Sequence, residues 1–231
     1  MYIKLDKSQI RRYAGYKEKF KIIPEIEEKI DILIYEIKQK ARVKYTYEIF
    51  DVSILEDEVK FADITFKSRF LAKNLKCCDK IILLAITLGN EVDSMIRRYS
   101  TIDGTSMILV QAIAAEYLEK YIDEIEKEIL SKIDKKVYFK PRFSPGYSDL
   151  DIVHQKDVIN ILNATKKIGL STTSSYMLTP AKSVTAIIGI TDTDYKNVKN
   201  KCNSCMLANC SMRENKKRCL KLNLEIYFEK N

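Results

Sequence analysis

Residues 107–133, MILVQAIAAEYLEKYIDEIEKEILSKI, form the longest regular pattern in this sequence. Apolar residues recur every three or four positions with charged residues between them, a spacing that places the apolar side chains on one face of a helix. The apolar stripe consists of Met107, Val110, Ile113, Ala114, Tyr117, Leu118, Tyr121, Ile122, Ile125 and Ile129. The sequence therefore predicts a long amphipathic helix that covers a hydrophobic core.

Shorter patterns upstream predict the other elements. In chain order they are an amphipathic helix over 24–42, a β-hairpin over 43–66 with its turn at 55–57, a helix capped by Ser68 that runs through Leu75, a buried strand over 81–89, and a helix capped by Asn90. Strands and helices do not alternate regularly, and neither GxGxxG nor GxxxxGK[ST] occurs. We therefore predict an α+β fold with an antiparallel sheet packed with long helices, and not a doubly wound nucleotide-binding fold.

The organisation of the chain is predicted from composition. With 231 residues and 46% hydrophobic residues, the chain can bury a sizeable core without disulfides. No linker rich in Gly, Ser or Pro divides it. We expect an N-terminal helix and hairpin region over 1–66, a core over 67–195, and a basic, cysteine-rich C-terminal appendage over 196–231.

The positive charge is concentrated near the C-terminus. The net charge is +8, and the residues from Tyr195 onward hold nine Lys or Arg against three Glu. This distribution argues against a nucleic-acid interaction of the core and confines any such interaction to the tail. The sequence has neither a membrane-spanning apolar run nor the apolar core of a signal peptide, so we expect a cytoplasmic protein that does not contact a membrane.

The segment 137–162, VYFKPRFSPGYSDLDIVHQKDVINIL, has the most specific local chemistry. Two prolines favour an extended backbone, and Gly146 permits a positive φ, so we predict a rigid irregular strand before Tyr147. Arg142 on such a strand could form a forked interaction with a ligand carboxylate. The alternative is that Arg142 makes a surface salt bridge and that the Pro-Gly-Tyr sequence is only a turn.

RFSPGYSDLDIVHQK, residues 142–156, resembles the Arg-x-x-Pro-Gly-Tyr signature of the activation domain of cobalamin-dependent methionine synthase. A second matching stretch follows at the family's distance in IGLSTTSSYMLTPAKSVTAIIGI, residues 168–190. There Pro180, Ser183, Val184 and Gly189 occupy the positions of the family pattern. Upstream, AITLGNEVDSMIRRYS and the long helix are similar to free-standing versions of this domain, so the resemblance covers most of residues 80–191.

The resemblance implies a binding site for S-adenosylmethionine. By position, Arg142, Ser144, Gly146 and Tyr147 would hold the ligand, and an acidic residue of the long helix, Glu119 or Glu116, would attract its ammonium or sulfonium group. The alternative for both glutamates is an ordinary solvated helix charge.

The implied function is to support reductive methylation of cob(II)alamin on a cobalamin-dependent methionine synthase that lacks its own activation domain. The partner would carry the cobalamin, because this sequence has no DxHxxG-like motif. The protein would orient the methyl group of S-adenosylmethionine, so no catalytic residue is expected. Ile187 and Ile188 stand where synthase-fused domains carry aromatic residues, and His154, at a predicted helix start, has only a weak functional signal.

Four cysteines in the tail, Cys202, Cys205, Cys210 and Cys219, have C-x2-C-x4-C-x8-C spacing. Four thiolates could hold zinc or an iron–sulfur cluster, and unligated thiols are the alternative. A cluster could relay an electron from a flavodoxin- or ferredoxin-like donor, whose acidic surface would suit the basic tail. Cys77 and Cys78 are predicted to be buried thiols.

Two other functions remain open from the residues alone. The tail could be a metal-binding module that contacts nucleic acid or protein, with residues 1–190 as its scaffold. Alternatively, the chain could be the methyl-transfer partner of another corrinoid protein. Residues 1–66 carry no recognisable functional motif and are predicted only as a possible docking region.

Overall fold

A four-stranded antiparallel sheet forms the centre of the protein in a computed structural model, which describes residues 3–16 and 23–193. Its strand order is β1 (Lys44–Asp51), β5 (Lys80–Thr87), β9 (Ser183–Thr191) and β6 (Tyr138–Phe139). β5 pairs with β1 on one side and with β9 on the other. All residues of β5 after Lys80 are buried, because both faces of the sheet are covered.

Helices cover one face of this sheet. They are α1 (Lys7–Tyr13), α2 (Pro24–Lys40), α4 (Asn90–Ile102) and α5 (Gly104–Ser131). Ile82, Leu84 and Ile86 of β5 point toward them and join a core with the apolar stripe of α5. α5 is the predicted long helix, and α1, α2 and α4 all pack against it.

A second, smaller layer covers the other face. It contains the three-stranded sheet β2 (Ser53–Leu55), β3 (Glu58–Phe61) and β4 (Ile64–Lys67), the helices α3 (Arg69–Leu75), α6 (His154–Ile161) and α7 (Ala164–Ile168), and the strand pair β7 (Ser171–Thr172) and β8 (Leu178–Thr179). Ile81, Leu83 and Ala85 of β5 point into this layer. The predicted α+β fold, with an antiparallel sheet packed with long helices, is confirmed.

Most local predictions are confirmed, and two are corrected. Ser68 caps α3 by accepting a hydrogen bond from the N–H of Leu71. The hairpin predicted over 43–66 was partly wrong. β2 and β3 pair around the predicted turn, as a hairpin should, but β1 pairs with its neighbour β5 in the central sheet. The helix cap predicted at Asn90 was also wrong, because Gly89 with φ of 88° is the N-cap and Asn90 is the first helical residue.

None of the helices in the described part of the chain is long and apolar enough to cross a membrane. The region boundaries proposed at 66 and 195 stay predictions. The cysteine-rich tail lies outside the described residues, and so do its four candidate metal ligands.

Candidate functional site

The Arg142–Tyr147 segment runs beside β9 at the edge of the central sheet. Phe143 and Ile187 exchange two backbone hydrogen bonds, of 3.0 and 2.7 Å. In an antiparallel pair the residues flanking such a bonded position direct their backbone groups the other way. The carbonyl of Arg142 and the N–H of Ser144 therefore face away from β9.

The Pro-Gly-Tyr turn follows immediately. Gly146 has φ of 86°, a conformation that favours glycine, and its N–H donates to the carbonyl of Leu150 at 2.8 Å. The ring of Tyr147 packs edge-on against Phe143 with ring centroids 5.2 Å apart, yet Tyr147 is 47% exposed. An exposed aromatic ring thus stands at the end of a backbone segment with outward polar groups. The segment is irregular and not helical, as predicted, with a single bridge from Phe143 to β9.

Arg142 lies against α5, surrounded by three carboxylates. Its Nη1 donates to Glu119 at 2.6 Å, its Nη2 to Asp123 at 2.5 Å, and its Nε to Glu126 at 2.6 Å. The Arg142 side chain is 12% exposed, and its partners Glu119 and Asp123 are 37% and 42% exposed. The alternative of a salt bridge is therefore supported, with the arginine end largely buried. The signature segment and the long helix are joined at this point.

Charge dominates this cluster. One arginine and three carboxylates carry a formal net charge of −2, and Lys120, 3.6 Å from Asp123, reduces the sum to −1. Burial lowers the pKa of Arg142, but the carboxylates of Glu126, Glu119 and Asp123 outweigh it and raise the pKa above its ordinary value. The guanidinium remains charged, and the three bonds use three of its five N–H donors.

Glu116 lies one helical turn before Glu119 and is almost completely buried, with 2% exposure. Its Oε1 accepts a hydrogen bond from the backbone N–H of Asp6 at 3.1 Å. Burial raises the pKa of Glu116, although the Asp6 N–H partly opposes this shift. The alternative of an ordinary solvated helix charge is therefore wrong for Glu116. Glu119 is partly exposed, but it is bound to Arg142.

Sequence reasoning missed several members of this site. Asp123 and Glu126 follow Glu119 at helical spacings of four and seven, a periodicity that could have shown that the three share one face. The start of α1, where Asp6 caps the helix through the Ser8 N–H at 2.8 Å, packs against α5 beside Glu116. Nothing in the local sequence of α1 indicates this contact.

The other residues considered from the sequence lie elsewhere. His154 begins α6, where its Nδ1 is 2.7 Å from Asp157 and its ring packs on Phe66 in the second layer. Cys78 is buried as predicted, but Cys77 is exposed, so that half of the prediction was wrong. Within residues 3–16 and 23–193, no group of three or more His, Cys, Asp or Glu side chains is placed to hold a metal ion.

The central antiparallel sheet, its helical layer and the Arg142 segment paired with β9 define the class of an α+β domain, distinct from doubly wound nucleotide-binding proteins. A family model described as "Vitamin B12 dependent methionine synthase, activation domain" matches residues 5–204. The chain belongs to this family.

Structural comparison agrees on the fold. The crystal structure of the MetH reactivation domain bound to AdoHcy matches with a TM-score of 0.55 and 14% sequence identity, covering 77% of this chain and 69% of that one. No curated protein matches the sequence significantly.

Proposed function

We propose that this chain binds S-adenosylmethionine at the wall formed by residues 142–147 and the Glu116–Glu126 face of α5. The observation that supports this most directly is the Arg142–Glu119 contact, because it joins the family signature to the acidic helix in a chain of the activation domain family. The structural relative was solved with AdoHcy bound, which is the demethylated product of S-adenosylmethionine.

The charges of the wall suit this ligand. S-adenosylmethionine carries an ammonium, a sulfonium and a carboxylate, which gives a net charge of +1 at neutral pH. The carboxylate of the ligand can accept hydrogen bonds from the Arg142 N–H groups that do not bond the three protein carboxylates. The acidic side chains attract the ammonium and the sulfonium of the ligand. The outward N–H of Ser144 and the exposed ring of Tyr147 provide polar and stacking contacts for the remaining parts of the ligand.

The role of the protein in this proposal is placement. Inactive cob(II)alamin takes one electron from a donor and a methyl group from S-adenosylmethionine, which leaves as S-adenosylhomocysteine. The methyl group is already electrophilic because it is bonded to a sulfonium, so no acid or base is required. Holding both ends of the ligand fixes the direction of the methyl group, an orientation effect worth up to several kcal/mol.

We further propose that the cobalamin is carried by a methionine synthase that lacks its own activation domain. The electron donor is a flavodoxin- or ferredoxin-like protein. The cysteines at 202, 205, 210 and 219 lie outside the described residues, so a zinc or iron–sulfur role for them rests on their spacing alone. The chain takes part in methyl transfer, and in methionine biosynthesis, only together with its partner.

Calorimetric titration with S-adenosylmethionine tests the site. Wild type should bind, and Arg142→Gln should lose at least tenfold in affinity, because a charge-assisted hydrogen bond contributes about 1.5–3 kcal/mol. Arg98→Gln is the matched control, since Arg98 pairs with Glu36 between α2 and α4. Equal affinities of wild type and Arg142→Gln, with both folded by circular dichroism, would exclude this site.

Reactivation of the synthase in trans tests the partner. Cob(II)alamin-loaded synthase, a low-potential reductant and radiolabelled S-adenosylmethionine should give labelled methylcobalamin only when this protein is added. Transfer to a different corrinoid protein but not to the synthase would favour the alternative corrinoid partner. Unchanged function in Arg142→Gln would favour a role that depends on the tail.

A further inference from the structure

Thr185 of β9 connects both ends of the segment that carries the Pro-Gly-Tyr turn. At one end, the Ser144 hydroxyl donates to the carbonyl of Thr185 at 2.6 Å. At the other end, the Thr185 hydroxyl donates to Oε1 of Gln155 at 2.6 Å. We call residues 144–155 the signature loop. Its two ends, eleven residues apart, are thus fastened to a single residue of the central sheet.

These contacts are shielded from water. Thr185 is 1% exposed and Gln155 is 7% exposed, so the hydroxyl and the amide oxygen have little access to solvent as an alternative partner. A buried polar group without a partner costs about 1–3 kcal/mol. The Thr185–Gln155 hydrogen bond is therefore expected to hold the start of α6 firmly against β9.

The signature loop needs such fastening because its internal hydrogen bonds are short-range. The N–H of Tyr147 donates to Ser144 at 3.0 Å, and the N–H of Leu150 donates to Tyr147 at 3.2 Å. Ser148 has φ of 57°, which is uncommon for a residue with a side chain. In the middle of the loop, the Asp149 carboxylate accepts hydrogen bonds from Ser68 and from the N–H of Phe70 at the start of α3. The middle is thus tied to α3, and the ends are tied to Thr185.

We propose that Thr185 and Gln155 are positioning residues that hold the signature loop in the conformation that binds S-adenosylmethionine. The proposal rests on the proposed function for its ligand. The positioning role itself, which we call the clamp, is argued from the hydrogen bonds that Thr185 makes with Ser144 and Gln155. Neither side chain is placed against the ligand. The Thr185 hydroxyl acts through Gln155, at the α6 end of the loop, while the backbone carbonyl of Thr185 holds Ser144 at the other end and is kept in any substitution.

Substitutions at position 185 separate the hydroxyl from the shape of the side chain. Thr185→Val keeps the shape and removes the donor, so it should weaken S-adenosylmethionine binding about 5- to 10-fold. It should also speed amide hydrogen exchange at Gly146, Tyr147 and Leu150 by a similar factor. Thr185→Ser keeps the hydroxyl and should restore both properties.

Thr191→Val is the matched control on the same strand. Thr191 is also buried, and its hydroxyl bonds the N–H of Thr193, far from the signature loop. This variant can lose stability, but it should keep wild-type affinity and wild-type exchange at the loop. Gln155→Met removes the acceptor of the Thr185–Gln155 hydrogen bond. It replaces Thr185→Val in both measurements if Thr185→Val does not fold.

The two readouts distinguish failure of the clamp from failure of the proposed function. If wild type does not bind S-adenosylmethionine but Thr185→Val speeds exchange in the loop, the clamp stands and the ligand is wrong. If the folded variants at 185 and 155 show wild-type exchange at the loop, or exchange no faster than that of Thr191→Val, the clamp proposal is overturned. Where wild type binds S-adenosylmethionine, folded variants that bind it equally tightly also overturn the clamp proposal.

Discussion

The backbone of Gly189 lies directly against the thiol of Cys78. A Cβ built at Gly189 would lie 2.6 Å from Cys78 Sγ, 2.9 Å from Leu75 Cδ2 and 3.0 Å from Lys140 Cγ. Strand β9 therefore passes the end of α3 at backbone contact distance, which only a residue without a side chain allows. This contact gives a physical reason for the glycine in the second matched stretch of the sequence.

We expect Gly189→Ala to lower the free energy of unfolding by about 1–3 kcal/mol, because the added methyl group overpacks a buried site. Urea denaturation followed by circular dichroism measures the loss. Cys78→Ala should recover part of it in the double variant, since Sγ is the nearest obstacle and Leu75 remains. Strict additivity of the two substitutions would contradict this geometry.

Glu116→Gln should stabilise the protein at neutral pH and weaken its ligand binding. Because burial raises the pKa of Glu116 above 4.5, the folded state holds this proton more tightly than the unfolded state. The stability of wild type should therefore fall as the pH rises through the window above 4.5, and the deficit should persist at higher pH. Glutamine keeps an acceptor for the Asp6 N–H but has no charge to attract the ligand.

Thermal unfolding of both proteins between pH 4 and 8 measures this effect. The advantage of Glu116→Gln should disappear below pH 4.5, where the carboxyl is protonated in both states. Glu28→Gln, at an exposed position of α2, should show no such dependence. A variant that is less stable than wild type at every pH would show that the Glu116 carboxylate is favourable in the folded protein.

The two adjacent cysteines should differ sharply in reactivity. Burial raises the pKa of the Cys78 thiol to about 11, so roughly a thousandth of it is thiolate at pH 8. Cys77 is exposed. Brief iodoacetamide treatment followed by peptide mapping should find Cys77 modified and Cys78 intact, and both modified after denaturation. Equal labelling of the two in the folded protein would contradict the burial of Cys78.

The acidic side of the binding wall should favour a sulfonium over a thioether. We expect S-adenosylmethionine to bind more tightly than S-adenosylhomocysteine, on the order of tenfold at low salt, and the preference to shrink as salt is raised. Glu126→Gln removes one carboxylate bound to Arg142 and should narrow the preference. Competition calorimetry measures the ratio of the two affinities. Glu124→Gln is the control, because Glu124 pairs with Lys127 and not with Arg142. An unchanged ratio in Glu126→Gln would exclude this electrostatic contribution.

Much of the architecture could be predicted because its causes are local. The apolar period of 107–133 predicts α5, the apolar run after Lys80 predicts β5, and Ser68 predicts the start of α3. The pairing of β1 could not be predicted, because its alternating pattern suits any neighbouring strand. It pairs with β5, and the positive φ angles of Ala62 and Asp63 add a turn that divides the predicted second strand into β3 and β4.

The candidate site, too, could be predicted from the sequence only in part. The sequence by itself determined the long helix, the strands and the Arg-x-x-Pro-Gly-Tyr signature, since spacing and backbone preference act over a few residues. Only the tertiary structure decided that Arg142 binds Glu119, 23 positions earlier, and that Glu116 accepts the N–H of Asp6, 110 positions away. Such contacts depend on which faces of the helices the sheet brings together, and burial then sets their charge and strength.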